Sequence, residues 1–182
     1  MKALLSEKQR KKSQLGFTLV EVVIAIAISA VILVGSVELV SHMVIASAQN
    51  RAKTMSMLQV QYVGFWVTED VVQARADGVS LGDAQGFPLT IEWTAWNGDV
   101  NQITYSVEGQ VWTLSRHYQY TPKGGSAIDK GTIVVGQSLD PAETWCEWVT
   151  GGSATNVLEL HVSANVDGKV ATRTYDINPR SK

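Results

Sequence analysis

Between Phe17 and Val37 the chain runs for 21 residues with a single charge, Glu21. From Val22 to Val37 no ionisable side chain occurs. A hydrocarbon layer about 30 Å thick is spanned by about 20 helical residues at about 1.5 Å each. The run is rich in Val and Ile, which are moderate helix formers in water. In lipid the backbone has no alternative to intrahelical hydrogen bonds. The sequence therefore predicts a membrane-inserting helix.

Charge orients that helix. Residues 1–16 carry Lys2, Lys8, Arg10, Lys11 and Lys12 against Glu7 alone. The whole chain holds 15 Lys+Arg and 17 Asp+Glu, so the part after residue 16 holds ten basic and sixteen acidic side chains, a net of −6. A basic flank is retained in the cytoplasm, which places everything after about residue 40 outside. Direct nucleic-acid binding is not expected, because phosphate contacts need clustered Lys and Arg.

Three readings of the segment compete. A secretory signal peptide is supported by the small-x-small run Ala46-Ser47-Ala48, but the apolar stretch far exceeds the usual length of about 7–15 residues. An ordinary uncleaved anchor leaves Glu21 as a cost of about 2.5–3.5 kcal/mol if it lies deep in the bilayer. The third reading accounts for the Glu and for the residues before it.

Gly16-Phe17-Thr18-Leu19-Val20-Glu21, set between a basic leader and an unbroken apolar helix, resembles the processing motif of type IV prepilins and type II secretion pseudopilins. The resemblance covers about residues 8–40. It implies cleavage between Gly16 and Phe17 by prepilin peptidase, and N-methylation of the new Phe17 amine. It implies an assembly role for Glu21. A lone carboxylate among apolar helices must be neutralised or paired, and the Phe17 amine of a neighbouring subunit or of its own chain supplies the cation. The implied partners are other pilin or pseudopilin subunits, prepilin peptidase, an inner-membrane assembly platform and membrane lipid. The implied location is a single pass of the cytoplasmic membrane, N-terminus inside, followed by an extracytoplasmic filament. Two departures stand out. Major pilins generally place a Pro a few turns into the helix, where this chain reads Gly35-Ser36-Val37-Glu38. Many close a C-terminal loop with a disulfide, which a chain with Cys146 alone cannot form. Both favour a minor pilin or pseudopilin, or a pilin from a lineage that does without the bridge.

Helical patterning continues past the apolar run. No Pro occurs before Pro88, and Met55, Leu58, Tyr62, Phe65 and Val72 recur at spacings that define one helical face. That face is expected to pack under the head. Gly64 is read as a point of close approach. The helix is expected to end near Ala76, before Asp77-Gly78, a rod of 60 residues from Phe17 and about 90 Å long. His42, with no second ligand at helical spacing, reads as an interfacial side chain.

After Gly86-Phe87-Pro88 the period becomes two. Leu89, Ile91 and Trp93 alternate with polar residues, as do Ile103, Tyr105 and Val107, then Trp112, Leu114, Arg116, Tyr118 and Tyr120. Asn97-Gly98, Glu108-Gly109 and Asp167-Gly168 read as turns, and Pro122–Ser126 as a loop. Short strands follow at Thr132–Val135 and Thr144–Val149. A Gly-rich loop at Thr150–Ser153 leads to an alternating strand with Leu158, Leu160 and Val162, and Lys169–Ile177 closes the series. The expected fold is α+β, with a long N-terminal helix packed on a largely antiparallel meander of five to seven strands. The expected parts are a leader 1–16, a hydrophobic helix 17–40, its amphipathic continuation 41–76 and a β-rich head 77–182. The stretch Ile103–Arg116 is also similar to a hairpin found in minor pseudopilins of the J type and in related minor pilins.

The head offers little catalytic chemistry. Cys146 lies in an apolar run and reads as a buried structural thiol. The Trp and Tyr residues read as core and cross-strand pairs, with one member of Trp93/Trp96 and of Trp145/Trp148 exposed by parity. Asp77, Asp83, Asp99, Asp129, Asp140 and Asp167 fall mostly in turns, and no calcium-loop spacing occurs. No phosphate loop, zinc-protease motif or nucleophile elbow is present. The chain is read as a non-enzyme without cofactor. The contrasting class is an uncleaved single-span protein with an external ligand-binding β-domain.

Overall fold

The computed structural model describes residues 17–83, 85–150 and 156–180. The leader 1–16, Gly16 included, lies outside the described residues. The chain divides into two compact units, Met1–Ala46 and Ser47–Lys182.

Helix α1 spans Leu19–Val71, 53 residues. Every described residue from Phe17 to Arg51 is exposed. In the first unit the helix therefore has no core of its own, and it is long and apolar enough to cross a membrane.

The second unit has a core. The helix buries Ala52, Ser56, Val60, Val63, Gly64, Val67, Asp70 and Val71 against Leu89, Ile91, Ile103, Leu114, Leu158 and Leu160. This corrects the expected face. Met55, Leu58, Tyr62, Phe65 and Val72 are 41%, 51%, 49%, 58% and 42% exposed. Apolar residues recur with helical spacing on two sides of this helix, and periodicity alone does not rank them. Size does: the packed side is built of Ala, Ser, Val and Gly, which let helix and sheet approach closely. A Cβ at Gly64 would overlap the Tyr175 ring, and one at Gly136 would overlap Val63.

The helix ends at Val71, five residues before the expected Ala76. Its last amides shorten their reach, with Gln73 N–H donating to Asp70 O and Ala74 N–H to Val71 O, both at 3.2 Å. Arg75 is extended, at φ −84 and ψ 162. The Ala74 carbonyl accepts the Arg180 N–H at 2.8 Å, so chain from the far end of the sequence supplies the donor that a continuing helix would have supplied.

Eight strands are described: β1 Val79–Gly82, β2 Gly86–Thr94, β3 Val100–Glu108, β4 Trp112–Thr121, β5 Ile128–Leu139, β6 Trp145–Thr150, β7 Asn156–Val166 and β8 Lys169–Ile177. All pair antiparallel, which with α1 makes the α+β fold expected. Two details differ from a five-to-seven-strand meander. Strand β1 is four residues long, too short to show a period. The order β1-β2-β3-β4-β5-β7-β6, with β8 on β7, also departs from sequence order: β5 reaches β7 through Leu139 and Ala164. Strand β5 starts at Ile128, ahead of the expected Thr132. A register shift between Tyr118 and Gln119 accommodates Gly131 at φ +98, where the alternation breaks.

Polar contacts hold α1 from both flanks. Ser56 Oγ donates to Lys169 O at 2.5 Å and Tyr175 Oη to Val60 O at 3.1 Å, both joining β8. On the other side Gln137 N–H donates to Gln59 Oε1 at 2.8 Å.

Candidate assembly site

Thr18 precedes the first helical residue and Glu21 stands three positions on, the T-x-x-E arrangement of a capping box. The structure forms it. The Thr18 N–H and hydroxyl both donate to Glu21 Oε2 at 2.9 Å, and Glu21 N–H donates back to Thr18 Oγ1 at 3.3 Å. The helix N-terminus, where unpaired amides carry partial positive charge, further favours a carboxylate here. Glu21 thus meets part of its need for donors within its own chain. Its Oε1 accepts no hydrogen bond among the described residues. Sequence reasoning passed over Thr18, although the box was legible in the residue types.

Phe17 is 86% exposed and lines a shallow groove with Glu21, Ala25, Ser29 and Leu33. Those positions fall four apart, on one side of α1, and the small residues among them permit close approach of another helix. Of the three expected site residues, Phe17 and Glu21 therefore share a face, and Gly16 lies outside the described residues.

A second constellation lies in the head. Asp70 is 2% exposed and accepts a bidentate pair from Arg116, whose Nε and Nη2 reach Oδ2 and Oδ1 at 2.7 and 2.9 Å. The Tyr105 hydroxyl donates to the same Oδ2. The Arg116 guanidinium lies 5.0 Å from the Trp66 ring centre and 5.6 Å from that of Tyr118. Asp70 hydrogen bonding holds the Arg116 pKa above its ordinary value. Burial, then the Asp70 charge, raises that of Tyr105. The cluster is fully paired except for the Trp66 indole N–H, which is buried without a partner among the described residues. Its chemistry is that of a clamp joining helix to sheet. Arg116 was visible as the end of a hairpin; Asp70, in the helix, gave no signal of its own.

Other candidates are dispersed. His42 is exposed, His117 Nδ1 meets Thr132 Oγ1 at 3.0 Å, and His161 stacks on Trp145 at 5.2 Å. Asp99, Asp129 and Asp140 each accept a backbone N–H, from Lys123, Gly131 and Ala142. Among the described residues no three His, Cys, Asp or Glu side chains gather as metal ligands. Cys146 is 3% exposed, and burial pushes its thiol up to about 12. Trp96 is 99% exposed, whereas Trp93, Trp145 and Trp148 are all half-buried, so parity separated the first pair and not the second.

Residues 11–37 match the family model described as the prokaryotic N-terminal methylation motif. Over that segment the chain is type IV prepilin-like. The motif indicates a type IV pilin-like protein processed by prepilin peptidase and implies assembly with other pilin subunits. The long apolar helix fits membrane anchoring. No curated protein and no solved structure matches the chain.

Proposed function

We propose that this chain is a minor pilin or pseudopilin. Prepilin peptidase cleaves it between Gly16 and Phe17 and methylates the Phe17 amine. The leader stays in the cytoplasm, segment 17–40 occupies the cytoplasmic membrane and then a filament core, residues 41–71 continue the helix, and head 77–182 lies outside. The filament belongs to a pilus, a type II secretion system or a competence system, and an inner-membrane platform drives subunits from lipid into it.

One observation carries this reading. A helix without a core from Phe17 to Arg51 begins with a carboxylate whose Oε2 is bonded within the chain and whose Oε1 is open. Lipid suits the apolar wall, and a cation such as the Phe17 amine, of a neighbour or of the same chain, suits the open oxygen.

Intact-mass measurement and N-terminal sequencing of the protein from its native host test the proposal. The expected product starts at Phe17 and carries the extra mass of one methyl group. An intact leader would identify an uncleaved single-span protein with a ligand-binding β-domain. A start at Gln49 would identify a secreted head.

A further inference from the structure

We infer that a cleft just beyond the end of α1 binds a small zwitterion, a molecule that carries an oxyanion and an ammonium group a few ångströms apart. The cleft lies wholly within Ser47–Lys182, so its chemistry is independent of leader cleavage and of filament assembly.

The fold makes the cleft by ending one pairing early. Strand β1 begins at Val79, whose partner on β2 is Ile91. Strand β2 runs on to Thr94, so Glu92, Trp93 and Thr94 extend past the end of β1. Before Val79 the chain is a 3₁₀ turn, Ala76–Gly78, and Asp77 on that turn lines the cleft. Chain from the far end of the sequence supplies another wall. Arg180 forms a parallel bridge with Arg75, secured by its N–H donating to Ala74 O at 2.8 Å. The enclosed space is about 370 Å³, within the range of small-molecule sites, about 300–1,000 Å³.

Charge selects the ligand. The bridge sets Arg75 and Arg180 side by side, and both line the cleft. Like charges so placed repel. An oxyanion between them offsets the repulsion and takes up guanidinium donors. Asp77 and Glu92 line the same cleft. All four side chains are exposed, and none joins an ion pair among the described residues. The cleft thus presents two cations and two carboxylates that do not satisfy one another. A simple anion meets the arginines but is repelled by the carboxylates, and a simple cation meets the reverse. A ligand carrying both charges answers both pairs. Trp93 supplies the remaining element. It is half-buried, packs on the core and lines the cleft. Indole is the best aromatic partner for a cation, quaternary ammonium groups included. Held by the core, it loses little freedom when a ligand settles on it.

Isothermal titration calorimetry on the full-length chain in a non-ionic detergent tests the site. The probes are glycine betaine, a carboxylate joined to a quaternary ammonium, and phosphocholine, a phosphate joined to the same group. Their halves are acetate, inorganic phosphate and choline. At least one zwitterion is expected to bind one per chain, with each of its halves at least about tenfold weaker because the second contact is then no longer intramolecular. Preference for phosphocholine identifies a head group of lipid or polymer, and preference for betaine a free solute. Arg75→Gln combined with Arg180→Gln is expected to weaken the zwitterion by about tenfold or more. Glu92→Gln is expected to weaken it too, yet to strengthen inorganic phosphate alone, a gain that a misfolded chain does not give. Failure of both zwitterions to bind the native chain would overturn the site. So would a half that binds as tightly as the whole, or undiminished binding by the double arginine variant.

Discussion

Asp70 of α1 grips Arg116 of β4 through two parallel hydrogen bonds of 2.7 and 2.9 Å, the main ionic link between the helix and the sheet. The Arg116 side chain is 14% exposed and that of Asp70 is 3% exposed. Removing one partner strands the other in a poorly hydrated site. Asp70→Ala is expected to cost about 3–5 kcal/mol, read from denaturant unfolding. Arg116→Met and Tyr105→Phe in the Asp70→Leu background are expected to recover most of it, because the apolar residues leave neither a stranded charge nor a stranded hydroxyl. A triple variant as unstable as Asp70→Ala would show that the cluster does more than satisfy its own members.

The helix–sheet seam sets a second expectation. Gly64 faces the Tyr175 ring with no room for a methyl group. Gly64→Ala is expected to displace Tyr175, weaken its 3.1 Å bond to Val60 O and cost about 1–3 kcal/mol by overpacking. Combining it with Tyr175→Ala should leave the helix substitution nearly neutral, and unfolding midpoints check this. The sequence alone gave Gly64 as a point of close approach, and the α+β order of elements was equally readable from the change of period at Gly86. What it hid was the choice between two apolar helix faces. Val60, Val63 and Val67 and the larger Met55, Leu58, Tyr62 and Phe65 both repeat at three and four; only the space under the sheet decides that the small ones go inside. The clamp was hidden for a related reason: Asp70 and Arg116 are 46 positions apart, and no local pattern ties them.

Cys146 supplies a pH-dependent expectation. Its thiol is raised from 9.0 to about 12 by burial, so the folded state disfavours the thiolate. The sign follows from linkage: the contribution is complete below about pH 9 and is lost as pH rises toward about 12, because the unfolded chain ionises first. Cys146→Ala is expected to flatten that part of the stability–pH curve. In the native chain at pH 8 the thiol should resist a disulfide-exchange reagent and react as one equivalent once denaturant is added. Prompt labelling without denaturant would contradict its burial.

Processing and assembly separate by residue. Gly16→Val is expected to leave the leader attached, seen as an unshifted mass. Glu21→Ala should be cleaved normally yet fall at least tenfold in recovered filaments, since the carboxylate acts after cleavage. Thr18→Ala removes the hydroxyl donor on Oε2 and the acceptor of the Glu21 N–H, leaves the backbone donor in place, and should fray the first helical turn by about 1 kcal/mol. Wild-type incorporation of the Glu21 variant would remove its assigned role.

Trp96 stands 99% exposed in the turn between β2 and β3, while every other tryptophan of the chain is at least partly covered. A collisional quencher such as iodide will therefore extinguish one emitter of six well ahead of the rest. The molecule carries an intrinsic optical reporter at that loop, and anything that settles there will announce itself as emission that iodide no longer reaches.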